Sequence, residues 1–204
     1  LPKLGGMLRY GIPEYRLPKK ILDSEIDWIL NLGVDVKTGV ELGVDFSVHS
    51  LLEDGYDSVF LGVGAHKASK MGLTGEDITF GIFRGIDFLR EIEMSFIPKL
   101  NGTVVVVGGG NTAIDAARTA LRCGAEKVKI VYRRSIKEMP ANQEEVEAAQ
   151  KEGIEILFLT NPKSIVTEAH QLIGIECLKR GLVEGKAGER AKPVPLEGPE
   201  FIVN

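Results

Sequence analysis

The stretch running from Thr103 to Val131, TVVVVGGGNTAIDAARTALRCGAEKVKIV, constrains this chain more than any other. Its valines at 104–107 predict a buried strand, because β-branched side chains suit a packed pleated surface. Gly108, Gly109 and Gly110 predict a tight turn, residues 111–123 a helix, Gly124 its end, and residues 128–131 a second strand. A strand, a turn of pattern G-x-G-x-x-A, a helix and a strand make up a dinucleotide-binding βαβ unit. Gly108 permits the turn, Gly110 clears side-chain atoms from the path of a pyrophosphate, and Ala113 lets helix and strand approach. The N–H groups of Asn111, Thr112 and Ala113, with the helix dipole, then favour a bound phosphate. The competing explanation is an ordinary glycine-rich βα turn, but three glycines in a row would lose backbone entropy with no packing gain.

The residues after the second strand choose the nucleotide. A site for NAD carries Asp or Glu there to hold the ribose 2′-hydroxyl. This chain has Tyr132-Arg133-Arg134-Ser135, with Lys137 just beyond. Arginine forks bind a phosphate bidentately, so Arg133, Arg134 and Lys137 point to the 2′-phosphate of NADP(H). A solvated basic loop is the plain alternative; the position, where the sign of charge separates the two nucleotides, favours the phosphate.

The body of the chain is acidic, with a net charge of −4 over 204 residues, which sets it apart from general nucleic-acid binders. No apolar run is long enough to span a bilayer and no signal-peptide pattern appears. Two cysteines, Cys123 and Cys177, make no disulfide framework, so a reducing, cytoplasmic setting is expected. The chain starts without methionine and stops on an apolar run that reads as a strand, which suggests a piece of something longer.

Residues 1–18 are rich in Gly and Pro and read as an irregular loop. Pro18 and Gly33 bracket a helix whose core stripe is Leu22, Ile26, Ile29 and Leu30, with Trp28 at its margin and counted as core. Residues 34–37 read as a short strand, 39–47 as a turn-rich connection, 50–53 as a helical turn and 56–63 as a buried strand. Residues 67–79 read as loop. Residues 83–93 form an amphipathic helix with Ile86, Phe88, Leu89 and Ile92 inward. Beyond Arg134, Pro140 opens and Gly153 closes another helix, on which Glu144, Glu145 and Glu147 make a solvated face. Residues 154–159 are a third strand, giving a parallel core with right-handed crossovers. Residues 163–167 and 172–178 pair as an antiparallel hairpin across Glu168-Ala169-His170-Gln171, residues 180–199 read as a mobile loop, and 201–203 begin another strand.

Other chemistries lack their residues. His49, His66 and His170 are scattered, no Cys/His spacing suits zinc, and two cysteines cannot hold an iron–sulfur cluster. There is no C-x-x-C, no G-x-S-x-G and no Walker A sequence. The Tyr-x-x-x-Lys spacing of short-chain dehydrogenases occurs at Tyr15 and Lys19, but Pro18 stands between them, so the pair does not share one helix as that chemistry requires.

GGMLRYGIPEYRLP at residues 5–18, GNTAIDAARTALRCGA at 110–125 and YRRSIKEMPA at 132–141 together resemble the small (β) subunit of NADPH-dependent glutamate synthase. The same module occurs in dihydropyrimidine dehydrogenase and in NADPH:ferredoxin and metal-reducing flavoproteins. The resemblance covers nearly the whole chain. It implies an α/β, three-layer Rossmann-like FAD/NAD(P)-binding fold, a central parallel sheet with helices and an antiparallel meander, truncated at both ends. Residues 1–95 would be part of an FAD-binding domain and 96–204 an NADPH-binding domain without its last strand. Hydride would pass from NADPH to FAD, and electrons onward to an iron–sulfur domain or a large subunit. Residue by residue, Gly108, Gly110, Asn111, Thr112 and Ala113 would hold the pyrophosphate, and Arg133, Arg134 and Lys137 the 2′-phosphate. Gly6, Met7 and Arg16 would lie along the FAD, the backbone of Val36 would face its adenine, and Gly64 with Ala65 would approach the flavin. No side chain in the segment is assigned as a general acid or base. The rival class is a nucleotide-sensing module without redox chemistry.

Overall fold

The computed structural model describes residues 1–77, 80–96, 98–169, 171–185, 190–196 and 198–204. His170 and parts of the loops expected over 67–79 and 180–199 therefore lie outside the described residues. The chain divides into two compact units, Leu1–Lys67 and Ala68–Asn204.

The first unit holds three helices: α1 (Gly6–Tyr10), α2 (Lys19–Leu30) and α3 (Val48–Glu53). The glycine-rich start is not wholly irregular, since α1 forms inside it, closed by Gly11 donating to the Met7 carbonyl at 2.9 Å. Pro18 stands one place before the helix it was expected to open, as the N-cap of α2. Tyr10 and Leu22 are the buried large apolar side chains. Trp28, expected in the core, is 66% exposed, and Ile29 is exposed beside it. A helical stripe is buried only where another surface covers it, and nothing within this unit covers that side of α2. Residues 34–37 and 56–63 belong to no strand. A strand needs a partner to complete its ladder, and Phe60, Leu61 and Val63 of the expected buried strand are exposed.

The second unit begins with α4 (Gly85–Glu93) and then alternates β1 (Thr103–Val107), α5 (Asn111–Arg122), β2 (Lys127–Val131), α6 (Gln143–Lys151) and β3 (Glu155–Leu157). The three strands form a parallel sheet with β2 in the middle, registered Val104 to Val128 and Ile130 to Ile156. Ala116, Ala117 and Ala120 line the buried face of α5 around Ile114, and small side chains there let the helix lie close to the sheet. Phe88 and Leu89 of α4, Val146 and Ala149 of α6, and Val128 and Ile130 complete this core. The helix expected to open at Pro140 starts instead after Asn142, whose side chain accepts from the Glu144 N–H at 3.2 Å. A side-chain acceptor at the N-cap satisfies a donor that proline cannot.

Glu145 is not part of a solvated face. It pairs with Arg118 of α5, which also donates to Glu152 at 2.8 Å, while Arg122 reaches Glu152 at 2.9 Å. These pairs join α5 to α6 over the edge of the core. The hydrogen bond from Arg122, followed by that from Arg118, holds the Glu152 carboxyl down at about 2.

An antiparallel sheet follows: β4 (Thr160–Glu168), β5 (Gln171–Val183), β6 (Lys192–Pro195) and β7 (Phe201–Val203), with β4, β6 and β7 all pairing with β5. Part of the expected 180–199 loop is thus strand. Residues 180–183 continue β5 and pair with 192–195, including two prolines on an edge strand, where a missing N–H costs no ladder bond. Val131, Ile175, Cys177 and Val203 form a second buried cluster between the sheets. Among the described residues no helix is long and apolar enough to cross a membrane.

The Glu152 carboxyl lies below its ordinary value of 4.5, so its ion pairs stabilise the fold fully above about 4.5 and lose that contribution as pH falls toward about 2. Thermal unfolding followed across that window is expected to show a falling midpoint in the wild-type chain and a shallower fall in Glu152→Gln.

Candidate dinucleotide site

The ladder of β1 and β2 ends where the glycine turn begins. Gly108 donates to the Val131 carbonyl at 3.0 Å, which bolts the turn to the end of β2. Its φ of +140° lies in the region that side chains resist, and an added Cβ would sit 3.3 Å from Ala113 Cβ. Both tasks read from the sequence, the turn and the close approach of Ala113, are visible there.

Gly109 has a task that the motif pattern does not name. A Cβ on it would come within 2.5 Å of Cδ2 in the Tyr132 ring, so that buried ring lies flat against a backbone with no room for a methyl group. Tyr132 is held in turn by its hydroxyl, which donates to the Glu138 carbonyl at 2.9 Å. Gly110, by contrast, is the N-cap of α5, has no side chain to cap the helix, and an added Cβ would meet no atom within 4 Å. The first turn of a helix leaves N–H groups without intrahelical partners, and here they open on free space. Ala113 departs from the expectation, because its N–H already donates to the Gly110 carbonyl at 2.9 Å. The tight first turn leaves the N–H groups of Asn111 and Thr112 as the donors facing out.

The basic residues sit on the loop between β2 and α6. Arg133 and Lys137 are exposed, and Arg134 is half-buried with Nε donating to the Ala191 carbonyl at 2.8 Å. Ser135 caps a 3-10 turn, Ile136–Glu138, and donates from Oγ to Glu138 at 2.7 Å. That hydroxyl bond is the main reason the Glu138 carboxyl stays ionised to lower pH than usual. The loop is fastened to the glycine turn at its far end as well. Ala141 donates to the Gly109 carbonyl at 3.1 Å and Asn142 to Asn111 Oδ1 at 2.8 Å. Pyrophosphate and 2′-phosphate candidates are therefore parts of one hydrogen-bonded assembly. The ring-on-glycine contact and the Asn111 tie were not read from the sequence; a third consecutive glycine followed by Asn was the only trace of them.

The residues matched to FAD all belong to the first unit. Gly6 and Met7 lie in α1, Arg16 donates its N–H to the Pro13 carbonyl at 3.0 Å, and Val36 lies in the segment that forms no strand. Gly64 has φ +71° next to exposed Ala65.

Cys123 and Cys177 are free and buried, and burial pushes the Cys177 thiol up to about 11. Neither is poised as a thiolate. Among the described residues no group of His, Cys, Asp and Glu is placed to hold a metal ion.

Residues 4–190 match the family described as pyridine nucleotide-disulphide oxidoreductase. The chain is 46% identical over 205 residues to the NADP(+)-dependent formate dehydrogenase subunit beta of Moorella thermoacetica, covering 100% of this chain and 29% of that protein. It is 36% identical over 212 residues to the glutamate synthase [NADPH] small chain of Halomonas elongata, covering 99% of this chain and 44% of that one. The chain thus spans less than half the length of these curated relatives. Its fold is that of FprA from Mycobacterium tuberculosis, solved in complex with NADPH, with a TM-score of 0.78 at 19% identity over 99% of this chain and 60% of that one.

The glycines separate stability from binding. Gly109→Ala is expected to cost about 1–3 kcal/mol by overlapping the Tyr132 ring, and Gly110→Ala less than about 0.5 kcal/mol because its methyl group meets no protein atom. Chemical denaturation of the two variants beside wild type checks both.

Proposed function

We propose that this chain, which belongs to the pyridine nucleotide-disulphide oxidoreductase family, is the NADPH-handling part of a flavin oxidoreductase. The observation that carries the reading is the open start of α5 at Gly110, fastened to a loop bearing Arg133, Arg134 and Lys137. In this reading Gly108, Gly110, Asn111, Thr112 and Ala113 frame the pyrophosphate, with the backbone of Asn111 and Thr112 donating. Arg133, Arg134 and Lys137 take the 2′-phosphate. Gly6, Met7, Arg16, Val36, Gly64 and Ala65 belong to the FAD side; Gly6 is left-handed, and an added Cβ would meet nothing within 4 Å. Residues 1–95 serve FAD and 96–204 serve NADPH. NADPH supplies a hydride, and FAD accepts it and releases electrons to iron–sulfur clusters or a partner subunit. The protein's share is to bind, orient and neutralise charge.

The electron acceptor distinguishes two readings. The sequence motifs point to a glutamate synthase small subunit. The higher identity to a formate dehydrogenase subunit, 46% against 36%, favours a different electron-transfer assembly of the same family, such as one that reduces ferredoxin or a metal. NADPH oxidation by the full-length protein, with glutamine plus 2-oxoglutarate or with ferredoxin or ferric iron as acceptor, separates them. A colourless protein inert with every acceptor would instead indicate a nucleotide sensor. Two buried, unpaired cysteines suit a reducing cytoplasm.

Replacing Arg133 and Arg134 together by Ala is expected to lower the preference for NADP(H) over NAD(H) by roughly 10- to 100-fold, the worth of one or two charge-assisted hydrogen bonds. Titration of both nucleotides measures it, and an unchanged preference removes the arginines from the site.

A further inference from the structure

We infer that Asn111 is a positioning residue for nucleotide selectivity, tying the loop that carries Arg133, Arg134 and Lys137 to the start of α5. The inference rests on the NADP(H) reading above. Sequence reasoning counts Asn111 among the pyrophosphate ligands, yet its Oδ1 accepts the Asn142 N–H at 2.8 Å. The backbone N–H and Nδ2, the donors of this residue, remain for a phosphate while its one side-chain acceptor is spent on the loop. Asn142 is itself the N-cap of α6, so the bond runs from the first residue of one helix to the cap of the next. The loop is thus held at its start by Tyr132, through the ring on Gly109 and the hydroxyl on the Glu138 carbonyl. At its end it is held by Ala141 on the Gly109 carbonyl and Asn142 on Asn111. Selectivity for a second phosphate depends on its distance from the first, and that distance is set by how firmly the loop is anchored to the turn. Asn111 supplies one of the two anchors at the far end.

The test is the ratio of dissociation constants for NADP+ and NAD+, measured by titration on the full-length protein. Asn111→Ala is expected to reduce the preference for NADP+ by roughly 5- to 10-fold, the scale of one hydrogen bond, without moving the thermal midpoint appreciably. Asn111→Asp keeps an acceptor for Asn142, so the ratio should persist although both nucleotides bind more weakly beside the added charge. Asn142→Pro deletes the N–H donor at a φ of −59° that proline accepts, and should lower the ratio as Asn111→Ala does. Asn142→Ala loses the cap but keeps the donor, and should leave the ratio intact. Equal weakening of both nucleotides in Asn111→Ala, with the ratio unchanged, marks a plain pyrophosphate ligand and overturns the inference. So does an unchanged ratio in Asn142→Pro. A wild-type protein with no preference overturns both the inference and the reading beneath it.

Discussion

The rest of the second unit depends on the seam where the ring of Tyr132 lies against the backbone of Gly109. Tyr132 is the residue at which β2 gives way to the basic loop, and Gly109 is the middle of the turn between β1 and α5. Two connections at the carboxyl ends of neighbouring parallel strands are thereby made one surface. The Gly108 bond to Val131 fixes the turn from one side and the Ala141 bond to Gly109 fixes it from the other. A dinucleotide fold needs its turn rigid before any ligand arrives, because hydrogen-bond donors that must be ordered on binding lose affinity to entropy.

Below that seam the fold is held by ordinary means. Alanines on α5 bring the helix close to valine-rich strands, and the rim of the helical layer is closed by charge. Arg118, buried, is neutralised by Glu145 of α6 and by Glu152 at its C-cap. A guanidinium in that position is tolerated only with its carboxylates in place, so α5 and α6 are matched to one another beyond their apolar faces.

The sequence made the second unit legible and the first unit much less so. Strong periodic signals with small residues at fixed offsets, as over 103–131, specify local backbone and packing together. The helix start at Asn142 was missed because two helix-start signals, Pro140 and Asn142, compete within three residues. Glu145 read as solvated because its partner, Arg118, lies 27 residues away and no local pattern reveals it. Residues 180–183 and 192–195 read as loop because glycine, proline and lysine obscure an edge pairing that only the register with β5 makes clear. In the first unit, 34–37 and 56–63 carry apolar residues suited to strands, but strandness is a property of a pair and these segments have no mate. Of the candidate site, the glycines and arginines stood out in the sequence; the ties joining them did not, since each has at one end or both a backbone atom that every sequence possesses.

Arg134 donates from Nε to the Ala191 carbonyl at the approach to β6. A guanidinium bound through its root nitrogen keeps two terminal nitrogens for another acceptor, so its position is fixed as well as its charge. Lysine at this place would have a single ammonium for both duties and would have to abandon one of them. The pairing of β5 with β6, far along the chain from the glycine turn, therefore sets where the root of this side chain is held, and a slip in that register would be felt there.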